Sequence, residues 1–400
     1  MGAEAEARTT AALHEWLSDG PTVAILEGFH GVGKTNSVIK LIHQVHVPVA
    51  HVRATSSGDL GLQDLLLNVA GELEISGNSL MADTLDKDLL VQLDAALRQS
   101  CLVVIDDFAE LLNSEIGLPP RTFIEFLIQL EKRPSATGRL LLVTDRRLSL
   151  TDDLDLRTIR LGPPSEEDAI QLLGKMLQMR SRQNEIPPTR RLDVVRWLGC
   201  NPRAFQALVA CLEAESLDEL ISAEQENWDL KNEVFSPTLI KELERRFRAR
   251  TLSRLSPAGL LLTQFLSVYR RPFTVEGITR FTERIGDIDG ARRELLDLFL
   301  LDHNGRWFFL NPVPRELALA RLQADPNHTL DAHSLAADHY CRHFRAKGPI
   351  NIAAHAVEFV EARYHLTLSG RIDEFTEVAS RYRSHLLGNV HLLSSESTRR

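Results

Sequence analysis

Gly28-Phe29-His30-Gly31-Val32-Gly33-Lys34-Thr35 carries three glycines, a lysine and a threonine directly after the apolar run TVAIL. Glycine lets the backbone adopt conformations that bring main-chain N–H groups together around an anion. The spacing Gly-x-x-x-x-Gly-Lys-Thr is that of a phosphate-binding loop between a strand and a helix. A helix opening near Lys34 adds the positive end of its dipole. Lys34 brings a mobile cation to the β- and γ-phosphates, and the Thr35 hydroxyl can ligate Mg²⁺. The expected nucleotide contacts are therefore Gly28, Phe29, His30, Gly31, Val32, Gly33, Lys34, Thr35 and Asn36, with Lys34 also serving the chemical step. A glycine-rich turn without a ligand is the competing reading, and the strand-loop-helix context weighs against it.

Three further stretches fit this chemistry. CLVVIDDF ends an apolar strand in two carboxylates, which is costly unless a cation compensates. Asp106 is placed to hold Mg²⁺ with Thr35, and Asp107 to polarise an attacking water. RLLLVTDRR places Arg146 at the end of the next apolar strand, where its fixed fork of donors suits a γ-phosphate. Arg147 is the competing candidate. In WLGCNPRAF, Gly199 and Pro202 break a helical pattern, and Pro202 could lie against an adenine ring.

These residues need elements to hold them. The strand-like TVAIL, VPVAHVRA, CLVVIDD, RLLLVTD and LRTIRL alternate with NSVIKLIHQVH, LQDLLLNVAGEL, KDLLVQLDAALRQ and RTFIEFLIQLEK, which read as helices. Such alternation predicts an α/β domain with a parallel sheet covered on both faces, over residues 1–160. Pro163 and Pro164 end that pattern. Ser165 and Asp168 then fit a helix N-terminal cap, and residues 161–245 read as a helical bundle. Over 246–325, three helical stretches precede DHNGRWFFLNP, a hairpin with Asn304-Gly305 at its turn, which together describe a winged helix. Residues 326–400 read as helices, two of them joined at Ser369-Gly370, as at the start of a helical-repeat array.

The totals exclude several classes. A chain of 400 residues with a net charge of −9 suits two to four globular domains and argues against a dominant nucleic-acid surface. No apolar run reaches membrane-spanning length, and the acidic start MGAEAEARTT is not a signal peptide. Cys101, Cys200, Cys211 and Cys341 form no C-x-x-C pair, which suits a reducing cytoplasm. His43/His46 and His339/His343 lack further ligands at standard spacing and read as surface histidines near helix ends.

Taken together, GFHGVGKT, LVVIDD, LLVTDR and GCNP resemble the STAND class of P-loop NTPases, close to its NB-ARC and bacterial AP-ATPase-like groups. The order of modules matches over nearly the whole chain, with the last helices similar to tetratricopeptide-type repeats. The resemblance implies an ATP/ADP- and Mg²⁺-dependent switch in signal transduction, in defence or in regulation, with slow hydrolysis as a timer. It implies a closed ADP form, a homo-oligomer when ATP is bound, and a protein or ligand trigger sensed by the C-terminal helices. It further implies a nucleotide contact from Asn311, in FFLNPVPREL, where the family often has a histidine. No effector domain is recognisable at either end, so the effector is expected beyond Arg400 or on a partner.

A second class is an initiator-like ATPase that binds DNA through the winged helix, for which ELERRFRARTLSRL supplies five arginines. The acidic whole, with Glu242 and Glu244 nearby, favours a solvated connecting helix instead. A third is a passive scaffold that keeps nucleotide as a structural cofactor.

Overall fold

The computed structural model describes residues 3–54, 61–73, 86–112, 118–132, 137–146, 148, 156–232, 236–303, 307–346 and 355–381. Its first part runs α1 (Ala3–Asp19), β1 (Val23–Gly28), α2 (Lys34–Ile42), β2 (Val49–Arg53), α3 (Gly61–Glu72), α4 (Asp86–Leu97), β3 (Leu102–Asp106), α5 (Arg121–Glu131), β4 (Arg139–Thr144) and β5 (Arg157–Leu161). The sheet order is β2-β3-β4-β1-β5. The pairs β2/β3, β3/β4 and β4/β1 are parallel. All five residues of β3 are buried, as an apolar run covered on both faces requires. Because β1, β3 and β4 run the same way, their carboxyl ends lie on one edge of the sheet. The acid pair and VTDR follow the ends of β3 and β4, which pair side by side.

The second part is helical: α6 (Glu166–Met179), α7 (Pro188–Trp197), α8 (Pro202–Cys211), α9 (Leu217–Ala223), α10 (Gln225–Asp229) and α11 (Pro237–Ser253). Its starts are sequence-encoded. Ser165 caps α6 by accepting from the Asp168 amide, and Ser216 with Glu219 closes a capping box on α9. Its core gathers Leu173, Val194, Trp197, Phe205, Leu208 and Phe247. Trp197 meets the rings of Trp228 and Phe247 edge-on.

Next come α12 (Pro257–Leu266), α13 (Val275–Thr279), α14 (Thr282–Ile285), α15 (Ile288–Asp297), β6 (Leu301–His303) and β7 (Phe308–Leu310). The two strands pair antiparallel, and Phe273 bridges to Phe308 as a third extended segment. The expected Asn304-Gly305 turn lies outside the described residues. The chain closes with α16 (Pro312–Gln323), α17 (Pro326–Tyr340), α18 (Arg342–Arg345) and α19 (Ala356–Leu368). Gly370, at φ 72°, ends α19 in the left-handed conformation at the predicted Ser369-Gly370 joint. None of the described helices is long and apolar enough to cross a membrane.

By packing, the chain forms two compact units, each with its own core. One comprises residues 1–12, 28–37 and 160–329; the other comprises 13–27, 38–159 and 330–400. Within the second, α3 is buried along nearly its whole length because α4, β2 and α19 all pack on it. Its Asp64 pairs with Arg363 of α19. His43 and His46 are exposed, as expected of surface histidines. His339 is buried instead, and the His343 ring stacks on His355 at 4.6 Å. The reading of His339 as a surface histidine is corrected, and His343 is half-buried: helical spacing shows which residues share a face but not which face the fold will bury.

Within the first unit, α11 corrects another expectation. Its buried stripe runs Ile240, Leu243, Glu244, Phe247, Arg248, Thr251 and Leu252, so two charged residues lie where apolar ones would serve. Arg248 is 0% exposed; its Nη1 donates to the Leu298 carbonyl at 3.1 Å, while Nε and Nη2 meet no protein acceptor among the described residues. Arg248→Ala is expected to lower stability by about 3–5 kcal/mol, because the buried Glu244 charge loses a buried cation. Arg248→Met, of similar volume, should cost less, since it fills the space that alanine would leave empty. Urea unfolding of both variants checks this; equal losses would count against it.

Candidate nucleotide-binding site

The phosphate loop leaves β1 at Gly28 and enters α2 at Lys34. Gly31 and Gly33 have φ of 81° and 104°, conformations that side chains rarely allow. Neither Gly28 nor Gly31 has room for a side chain. A Cβ on Gly28 would lie 2.7 Å from the Leu161 carbonyl oxygen, and one on Gly31 would lie 2.5 Å from Asn201 Oδ1. The buried Lys34 folds its ammonium back along the loop, with Nζ donating to the Gly28 carbonyl at 2.8 Å and the Phe29 carbonyl at 3.0 Å. Val32 is buried beneath, while Phe29, Thr35 and Asn36 are exposed. A loop with this backbone, opening a helix, fits a phosphate chain. The Thr35 hydroxyl and the Asp106 carboxylate are hard oxygen donors of the kind Mg²⁺ takes.

Asp106 ends β3 buried, and its Oδ1 accepts from the Asp107 amide at 2.9 Å. Asp107 sits at φ 50°, ψ 38°, a left-handed conformation that Asp tolerates better than most residues. Two β2 residues that the sequence reading missed face this pair. His51 Nε2 lies 3.7 Å from Asp106 Oδ2, and Arg53 Nε donates to Asp107 Oδ2. The β2/β3 register sets this, with Arg53 opposite Asp106. The available signal was the alternation in VAHVR, where His51 and Arg53 share one face of a strand. Arg146 follows β4 and is exposed; its amide donates to Thr144 Oγ1 at 3.1 Å, fixing the turn. Arg147 lies outside the described residues.

GCNP is a helix break of defined geometry. Gly199 and Cys200 have φ of 57° and 55°. Asn201 caps α8, accepting from the amides of Arg203 and Ala204, and Pro202 occupies the first helical turn. The other end of the Asn201 amide donates to the His30 carbonyl at 2.7 Å. Arg203, two residues on, donates through Nη1 to Asn311 Oδ1 at 2.7 Å. Asn311, fully buried, donates in turn to the Phe299 carbonyl at 2.7 Å. One end of the Asn311 amide thus holds the turn between α15 and β6, where Phe299 has a φ of 53°, and the other end holds Arg203 of α8. Sequence reasoning singled out Pro202 and passed over Asn201 and Arg203, the residues that make these bonds.

The arginines of α11 are largely spent on acids. Arg245 pairs with Glu316 at 2.6 Å, Arg246 with Glu224 at 2.7 Å, and Arg250 and Arg254 with Glu215 at 2.9 and 2.8 Å. Cations so neutralised are poor phosphate contacts, which weighs against a DNA-binding reading of this helix.

Residues 17–150 match the family model described as an AAA domain. Among solved structures, a STAND ATPase with a tetratricopeptide repeat sensor from Pyrococcus horikoshii is 15% identical at a TM-score of 0.56, covering 96% of this chain and 53% of that one. The chain thus spans about half the length of that protein. The Walker-type ATPase of Pyrococcus abyssi (12% identity, 78% of this chain, 94% of that one, TM-score 0.37) and Cdc6p of Pyrobaculum aerophilum (14%, 80%, 92%, 0.38) are too distant in shape to carry an argument. No curated protein matches the sequence. Residues 17–150 therefore form a P-loop domain of the AAA type, on a chain that shares its fold, over nearly its full length, with a STAND ATPase.

Proposed function

We propose that the protein is an ATP/ADP-dependent signal-transduction switch of the STAND kind, which opens and self-associates when ATP is bound. The observation that carries the reading is the bonded path from the phosphate loop to the α15–β6 turn. The His30 carbonyl is held by Asn201, and the neighbouring Arg203 holds Asn311, which holds Phe299. A ligand that reshapes the loop thereby acts on the contacts of the helical and hairpin modules. A switch moves only as far as its ligands bind its two states unequally. The γ-phosphate is the one group by which ATP and ADP differ here.

In this reading the loop amides and Lys34 bind the phosphates, and Pro202 lies on the adenine side. Mg²⁺, when bound, supplies charge neutralisation between phosphate oxygens, and Thr35 and Asp106 would hold it. Asp107 orients the attacking water, and Arg146 senses the γ-phosphate from the end of β4. Arg53 competes for the Asp107 carboxylate, which is consistent with slow turnover. Residues 161–245 act as the helical subdomain, 246–325 as a winged helix and 326–400 as the start of tetratricopeptide-type repeats that receive a protein or ligand trigger. The setting is cytoplasmic signalling, defensive or regulatory.

The test is the mass of purified protein with ADP and with a non-hydrolysable ATP analogue, by light scattering. Monomer with ADP and a larger assembly with the analogue is the expected result. One mass under both conditions would count against the switch.

A further inference from the structure

Glu244 is 1% exposed, yet its Oε1 meets no protein donor among the described residues. Buried carboxylates are costly, and under-satisfied ones call for an explanation. At its position in the α11 stripe a leucine would pack without that cost. The neighbour that distinguishes the site is His30, in the middle of the phosphate loop, whose Nε2 lies 3.2 Å from Glu244 Oε2. The two atoms lie within ion-pair distance, and His30 Nε2 has no other hydrogen-bond partner among the described residues. Burial pushes the Glu244 carboxyl up, but His30, Arg248 and Arg203 outweigh it and hold it below the ordinary carboxylate value. The carboxylate thus remains an anion aimed at the loop.

His30 is gripped twice: its side chain by Glu244 on α11 and its carbonyl by Asn201 on α8. Gly31, the next residue, has a φ of 81°, and Asn201 and the Arg203 Cβ fill the space beside it. A loop built on glycines loses much entropy when it is fixed in one shape. Holding it from outside lowers that cost at the moment a ligand binds. The loop is already held in this way, with Gly31 and Gly33 at positive φ and Lys34 folded along it.

We propose that Glu244 is a positioning residue for nucleotide binding, which presets the phosphate loop through the His30 imidazole. The inference rests on the loop binding ATP. It makes α11, rather than the loop alone, a determinant of nucleotide affinity, and it gives the chain a means to alter affinity by moving α11.

The test uses the full chain, with His30→Ala, Glu244→Gln and the double variant, read as KM and kcat for Mg-ATP beside thermal stability. Each single substitution is expected to raise KM about tenfold with kcat within about twofold, as for loss of one buried charge-assisted contact. The double variant should be no worse than the weaker-binding single, because the contact is lost only once. Should Glu244→Gln fail to fold, the partly exposed His30 carries the test. His30→Ala should then raise KM with the melting temperature nearly unchanged. Singles that lower stability while leaving KM at the wild-type value, or effects that add, would overturn the proposal. Wild-type protein that binds no Mg-ATP would overturn the nucleotide reading as well, which distinguishes the two failures.

Discussion

Lys34→Ala is expected to weaken Mg-ATP and Mg-ADP binding by about two to three orders of magnitude, as for truncating one partner of a buried charge pair. The ammonium is one of the cations the loop can offer and it has three donors. Two of its contacts are the Gly28 and Phe29 carbonyls, which hold it along the loop rather than in solvent. Alanine removes the phosphate contact and leaves two carbonyls without their cation, so affinity falls while the sheet, whose core lies elsewhere, persists. Arginine would not restore binding, because its planar fork cannot follow the path of a flexible ammonium between these carbonyls. Isothermal titration with Mg-ATP and circular dichroism check both halves. Wild-type affinity in a folded Lys34→Ala protein would remove the loop from the mechanism, and intact signalling in cells would favour a scaffold over a switch.

Asp107→Asn is expected to lower kcat by about a hundredfold or more with KM little changed, the range of general-base removal. The structure makes this substitution unusually clean. Asp107 sits in the left-handed region, which Asn occupies as readily as Asp, so the backbone is preserved and only charge is lost. The same change frees Arg53 from its carboxylate partner. A turnover equal to wild type would remove Asp107 from the chemistry and leave its pairing with Arg53 as its role.

Much of the nucleotide domain was legible because its signals are local. Strand, glycine-rich loop and helix are consecutive in sequence, and an apolar run flanked by such a loop has few other uses. The acid pair at the end of β3 and the capping residues Ser165 and Asp168 were readable for the same reason: each element's ends are marked by its own neighbours. Periodicity also identified the helices of 161–245 and the break at Gly199.

The failures share a cause. The arginine-rich α11 was read as solvated, yet Glu244 and Arg248 lie inside its buried stripe. Helical period tells which residues share a face, but not which element will cover a polar face or what it will find there. Asn201 reaches His30 across 171 residues, and Arg53 reaches Asp107 across 54. No spacing rule links them, because the register of β2 on β3 and the packing of α8 against the loop set those distances.

The sequence by itself determined that a phosphate-binding loop follows β1, that two carboxylates end β3, and that helices follow an α/β domain. These are properties of short stretches, written by local conformational preference and by the alternation of apolar and polar residues. Only the tertiary structure decided who holds the loop: Asn201 on its carbonyl, Glu244 on its imidazole, and Arg203 passing on to Asn311. Those contacts exist because folding removes water from side chains distant in sequence, and a charge deprived of water must find its partner in whatever the fold brings near.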